Sequence, residues 1–198
     1  MGKLEEFVDN LDAKNQISLM DVPEIDLYMD QVIQLFENKF KDTKRNDDEK
    51  ILTKTMINNY AKAKLFFPIK NKKYSKEHLL LISLIYQLKG ALSINDIKET
   101  FRGINKSIIE DKSFLLDEFY NSYLQLTNNN VANFREDLEA RIQEVDAKVE
   151  NLKCDDPKYI QRVLLISSLV NISNLYRRAA EKLVDEIVEK EEGKKETK

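Results

Sequence analysis

The sequence predicts a mainly α-helical protein on three observations. Only four glycines and three prolines interrupt 198 residues, apolar residues recur every three or four positions over long stretches, and strand-like alternation never lasts beyond a few residues. A chain of this length with 42% hydrophobic and 34% charged residues folds around a real core. The single cysteine, Cys154, excludes an internal disulfide, and no apolar stretch follows the start as a secretory signal requires. No run approaches the roughly 20 apolar residues that span a bilayer. Met1-Gly2 lacks the Ser or Thr that a myristoylation signal needs at the position of Glu6. A cytoplasmic protein that does not engage membranes is the expectation.

The elements follow in order. Leu4, Phe7, Val8 and Leu11 make at best a short amphipathic helix in an N-terminal extension, residues 1–22, which Pro23 ends. Asp26 then suits the cap of a first helix whose Met29, Val32, Ile33, Phe36 and Phe40 share one side. Residues 41–50 are a polar loop. A second helix starts near Thr53, buries Ile57, Tyr60, Ala61 and Leu65, presents Lys54, Asn58, Asn59 and Lys62 outward, and cannot pass Pro68. The stretch FPIKNKKYS suits a small hairpin or arm with Asn71 near its tip.

Ser75 caps a third helix with Glu77 and His78 in its first turn, an inward face of Leu79, Leu81, Ile82, Ile85 and Leu88, and an end at Gly90. Ser93 and Asp96 have the spacing of a capping box and open a short fourth helix with Ile94, Ile97 and Phe101. Residues 23–104 thus form one domain. Beyond it, Phe114, Leu115, Phe119, Tyr120, Tyr123 and Leu126 make an aromatic-rich helix that stops at the polar residues 127–130.

A new helix then carries Val131, Phe134, Leu138, Ile142, Val145, Val149 and Leu152 as one continuous apolar stripe. Asp155 or Asp156, with Pro157 at the first helical position, opens the last helix. Its segment VLLISSLVNI, residues 163–172, is apolar around most of its circumference and is expected to lie centrally; Leu175, Tyr176, Ala179, Leu183, Val184, Ile187 and Val188 return to one stripe. Residues 105–189 form a helical domain for dimerisation or sensing, and residues 190–198 a disordered tail.

Charge supplies the functional signal. Residues 50–76 hold eight lysines and no carboxylate, while the whole chain carries −3, so the remainder sums to −3 − 8 = −11. Duplex DNA presents about one negative charge per 1.7 Å of its axis, so a surface that meets it gains by replacing condensed counterions with lysine and loses by presenting carboxylates. Asn58 and Asn59 offer paired donor and acceptor groups to adenine edges, and Thr53 and Thr55 suit phosphate or thymine methyl contacts. Lys54, Lys62 and Lys64 are suited to backbone phosphates, and Lys70, Lys72 and Lys73 to a flanking phosphate or minor groove. Tyr74 fits two roles equally, anchoring the arm to the core or touching a phosphate through its hydroxyl.

Other chemistry finds little purchase. His78 has no second histidine to share a metal, and Cys154 has no base to activate it, so both read as structural residues. Phosphate-binding glycine loops and Ser/His/Asp arrangements are absent; neither an enzyme nor a cofactor is expected.

The order of residues also carries a resemblance. Tyr60, Leu65, Pro68, Lys70 to Lys73, Tyr74, the Leu/Ile-rich run from Leu79 to Leu88, and Ser93 to Ile97 resemble the winged helix-turn-helix of MerR-type bacterial regulators. Residues 26–101, with DLYMDQV, LTKTMINNY and the lysine-rich wing, resemble more closely the bacterial domain-of-unknown-function family eighteen thirty-six. The resemblance implies binding of double-stranded DNA. Asn58 stands where MerR-type reading helices hold Arg, the wing lacks its customary glycine, and about ten residues join the first two helices where a tight motif uses three or four.

The expectation is therefore a DNA-binding transcriptional regulator, a homodimer through its C-terminal helices, since two half-sites multiply specificity. A small-molecule effector between those helices, walled by Phe119, Tyr120 and Tyr123, is a further expectation, although core packing explains these aromatics equally well. The alternatives are a helical interaction module whose lysine patch meets an acidic protein, and an RNA binder, for which the window lacks an exposed aromatic platform.

Overall fold

A computed structural model describes residues 16–110 and 115–196. The expected helix with Leu4 to Leu11, and Phe114, lie outside the described residues. Among the described residues the chain forms six α-helices and one two-stranded sheet, a mainly helical protein.

The strand β1 is Leu27–Tyr28 and leads directly into α1, Met29–Phe40. Tyr28 takes the capping position expected of Asp26, and its amide donates to Gln31 Oε1 at 2.8 Å. After a 3-10 turn at Lys41–Thr43, α2 spans Lys54–Lys62. The strand β2, Lys73–Tyr74, pairs antiparallel with β1, setting Leu27 against Tyr74 and Tyr28 against Lys73. α3 is Lys76–Leu88 and α4 is Ile94–Glu110, well past the short helix expected around Phe101. α5 is Leu116–Glu150 and α6 is Pro157–Glu196.

The core forms around α3, which is buried from His78 to Ile85. Phe36 and Phe40 of α1 interlock with Tyr86 of α3, ring centroids 4.8 to 6.1 Å apart. The returning loop is pinned at its far end, where Lys89 Nζ donates to the Ile51 carbonyl at 3.1 Å and rests over the Tyr86 ring. The core reaches beyond residues 23–104 on both sides. Ile17 is fully buried, and so is Tyr120, whose hydroxyl donates to the Ile17 carbonyl at 2.8 Å and lies 2.9 Å from Ser83 Oγ. Burial pushes the Tyr120 hydroxyl up to about 12. Tyr120 is a core residue, not the wall of an effector pocket. Tyr123 packs 5.9 Å from it, and Phe119 is exposed.

α5 is one unbroken helix. The polar Thr127 to Asn130 do not stop it, and Thr127 Oγ1 donates to the Tyr123 carbonyl at 2.8 Å as a helical side chain does. Three asparagines cost about 2 kcal/mol against alanine, less than the burial of Leu116, Tyr120, Val131 and Leu138 on either side returns. The expected stripe is the seam as far as Val149, with Val131, Leu138 and Val145 buried; Leu152, its last expected member, lies past the end of α5 and is exposed. α6 runs antiparallel along it, its register fixed where Gln161 bonds Asp146 and Arg141 donates to Ser168 Oγ at 3.1 Å. Asp156 Oδ1 caps α6 by accepting from the Tyr159 amide, and Pro157 is its first residue. α6 also packs on α4.

One expectation fails here. The segment at residues 163–172 is not central: Ile166 is 61% and Val170 55% exposed. Over this segment the side of α6 turned away from α5 is left open.

Candidate nucleic-acid interface

α2 presents the expected face. Ile57 and Tyr60 are buried, while Lys54, Thr55, Asn58, Asn59 and Lys62 are exposed, and so is Ala61, expected to face inward; spacings of three and four place the five polar residues on one arc of the helix. Thr53 is the N-cap, its Oγ1 accepting from the Met56 amide at 3.1 Å, so its hydroxyl proton and one lone pair remain for an outside partner.

α2 stops before Pro68 for a backbone reason. Lys64 adopts φ 59°, the Leu65 amide donates to the Tyr60 carbonyl and the Lys64 amide to the Ala61 carbonyl, each at 3.0 Å. This is a Schellman end, and its left-handed position normally holds glycine. Asn105 on α4 fixes the same end from behind, donating through Nδ2 to the Leu65 carbonyl at 3.0 Å.

The wing repeats the pattern. Asn71 and Lys72 take φ 52° and 59°, and the Lys73 amide donates to the Lys70 carbonyl at 2.9 Å, a type I′ turn at the tip of the hairpin. Such turns prefer Asn-Gly, and here Lys occupies the glycine place. All three left-handed residues other than glycine among the described residues therefore fall within residues 50–76, and two are exposed lysines. A lysine held left-handed costs about 1 kcal/mol that glycine avoids. Lys72→Gly should accordingly raise stability by about 1 kcal/mol in urea unfolding. An unchanged or lowered midpoint would contradict the strained turn.

The base of the wing is buried. Tyr74 is 1% exposed and faces Phe66 and His78 edge-on, so its hydroxyl is not at the surface and the phosphate role considered for it is set aside. His78 is equally buried; Nδ1 accepts from the Ser75 amide at 3.1 Å and Nε2 donates to the Phe67 carbonyl at 3.2 Å, with the Phe67 ring centroid 3.9 Å away and tilted by 39°. The imidazole thus ties the linker after α2, the wing and the start of α3 together.

Burial holds its pKa below the ordinary imidazole value, against the pull of the Phe67 carbonyl. The unfolded chain takes up this proton first as pH falls, so stability declines from about pH 6.5 downward until the folded value is passed. The drop in urea midpoint between pH 7.5 and 5.5 should be larger for the wild type than for His78→Gln, and equal drops would contradict this assignment.

Carboxylates from outside the lysine-rich window reach two of its lysines. Lys54 Nζ lies 2.7 Å from Asp30, and Lys76 Nζ lies 2.9 Å from Asp117 and 3.3 Å from Glu24. Among the described residues no carboxylate pairs with Lys62, Lys64, Lys70, Lys72 or Lys73. The Lys54–Asp30 contact also locates the patch. Asp30 lies two residues past Tyr28, whose ring sits 5.3 Å beneath Lys73 Nζ, so the first turn of α2 and the base of the wing share one side. Tyr28, 55% exposed, belongs to that side and went unnoticed in the sequence, because its place depends on a strand pairing across more than forty residues.

Among the described residues, no group of three or more His, Cys, Asp or Glu is placed to hold a metal ion, and no helix is long and apolar enough to cross a membrane. No curated protein and no solved structure matches the chain. A family model does, over residues 17–123, more than half of the chain. Its limits coincide with the span from buried Ile17 to Tyr120 and Tyr123 that closes the N-terminal core. The chain belongs to the family described as Domain of unknown function (DUF1836).

Proposed function

We propose that this protein is a cytoplasmic, DNA-binding transcriptional regulator with a MerR-like winged helix-turn-helix reader. α2 enters the major groove, where Asn58 and Asn59 meet base edges and Thr55 meets a methyl group or phosphate. Lys62 and Lys64 hold phosphates beside it, and Lys70, Lys72 and Lys73 carry the wing to a neighbouring phosphate or the minor groove. The chain acts as a homodimer through its C-terminal helices, and regulates by occupying or deforming promoter DNA without a cofactor or catalysis.

The observation that carries the reading is the backbone at Lys64 and Lys72. Each spends about 1 kcal/mol to keep a cation at a left-handed position, and the two lie at the end of α2 and the tip of the wing. Strain of this kind collects where function needs the side chain. Selection of bound fragments from a random duplex pool tests it. Enrichment of sites with two related half-sites at a fixed spacing supports the proposal, whereas equal recovery of all sequences, or preference for single-stranded RNA, counts against it.

A further inference from the structure

We infer that a second copy of this chain covers the outer face of α6, antiparallel, about a two-fold axis between Ile166 and Ser167. This specifies the dimer proposed above, yet it stands on α6 alone and is measured without DNA. Residues 163–176, VLLISSLVNISNLY, carry no charge in a chain that is 34% charged. They span about four turns. One side packs on α5. The other leaves Tyr159 61%, Val163 38%, Ile166 61% and Val170 55% exposed, at steps of four, three and four that align them in one stripe. A contiguous apolar surface of this kind marks an interface.

Charge at the two ends of the stripe selects a second copy as the occupant. Asp155 and Asp156 precede it and Arg177 and Arg178 follow it, while Lys153, Lys158 and Arg162 fall opposite the uncharged Ala180, Leu175 and Asn171 of an antiparallel copy. An antiparallel pair sets Val163 against Val170 of the other copy, Tyr159 against Asn174, and each aspartate pair against the opposite arginine pair. A parallel pair would stack aspartate on aspartate and arginine on arginine. Arg177 already reaches Glu181 at 2.6 Å, which leaves exposed Arg178 the freer partner. The contact is isologous, as a two-fold dimer requires.

Sedimentation of the full chain at micromolar concentration should give a dimer, and Ile166→Asp with Val170→Asp should give a monomer of unchanged helicity. A crossed charge experiment isolates the register. A variant with Arg178→Asp sets aspartate against Asp155, and one with Asp155→Lys sets lysine against Arg178, both leaving the Asp156 cap and the Arg177–Glu181 pair in place; each should self-associate at least about tenfold more weakly. Mixed in equal amounts, the two should recover dimerisation. A monomeric wild type with the face left for another partner, an aspartate pair that leaves the dimer intact, or a mixture no tighter than its components would overturn the inference.

Discussion

Replacing Lys70, Lys72 and Lys73 together by glutamate should weaken binding to every duplex sequence by at least about a thousandfold at moderate salt. A dimer would lose about six phosphate contacts and acquire as many repelling carboxylates. The fold should survive, because Lys70 and Lys72 are exposed and the wing is held at its base by Tyr74 and His78 rather than by its charges. Lys73 rests over Tyr28, so circular dichroism of the variant is the control. Fluorescence anisotropy on labelled duplex measures the loss. A folded variant that still binds within about tenfold of the wild type would remove the wing from the interface.

Tyr120→Ala should cost about 4 kcal/mol and lower the melting temperature by roughly 10 °C. The ring is fully buried, and its hydroxyl joins α5 to the start of the described chain at Ile17 and to α3 at Ser83. Removing it leaves a cavity and strips both polar groups of a partner. Tyr120→Phe separates the two effects and should cost about 1 to 2 kcal/mol. If Tyr120→Ala melted with the wild type, α5 would not close the N-terminal core as described.

Much of this fold was legible because its signals are local. Ser75, Ser93 and Asp156 with Pro157 mark helix starts by side-chain chemistry that acts over three residues. The stripe from Val131 to Val149 gives the α5 seam by periodicity alone. What stayed hidden depends on distant partners or on competition between small terms. Leu27 and Tyr28 are a strand only because Tyr74 and Lys73 return beside them. The asparagines at 128–130 look like a stop until the burial on both sides outweighs their propensity. α2 is closed off at Lys64, two residues past its end, where nothing but the backbone reveals a left-handed turn that glycine would have advertised.

The site divides in the same way. The exposed arc of α2 followed from spacing, and Asn71 at the wing tip from turn chemistry. Tyr74 was ambiguous in sequence because an aromatic beside lysines suits a core and a phosphate alike; only its packing against Phe66 and His78 resolves the choice. The partial neutralisation of Lys54 by Asp30 joins α2 to α1 and could not be read from a segment free of acids.

The central claim is that this lysine surface exchanges its counterions for the phosphates of duplex DNA. The most direct test is the salt dependence of binding. With about four to six lysines per subunit on phosphates, the logarithm of the binding constant should fall against the logarithm of salt with a slope of roughly −7 to −11. A slope near zero on duplex DNA would contradict it.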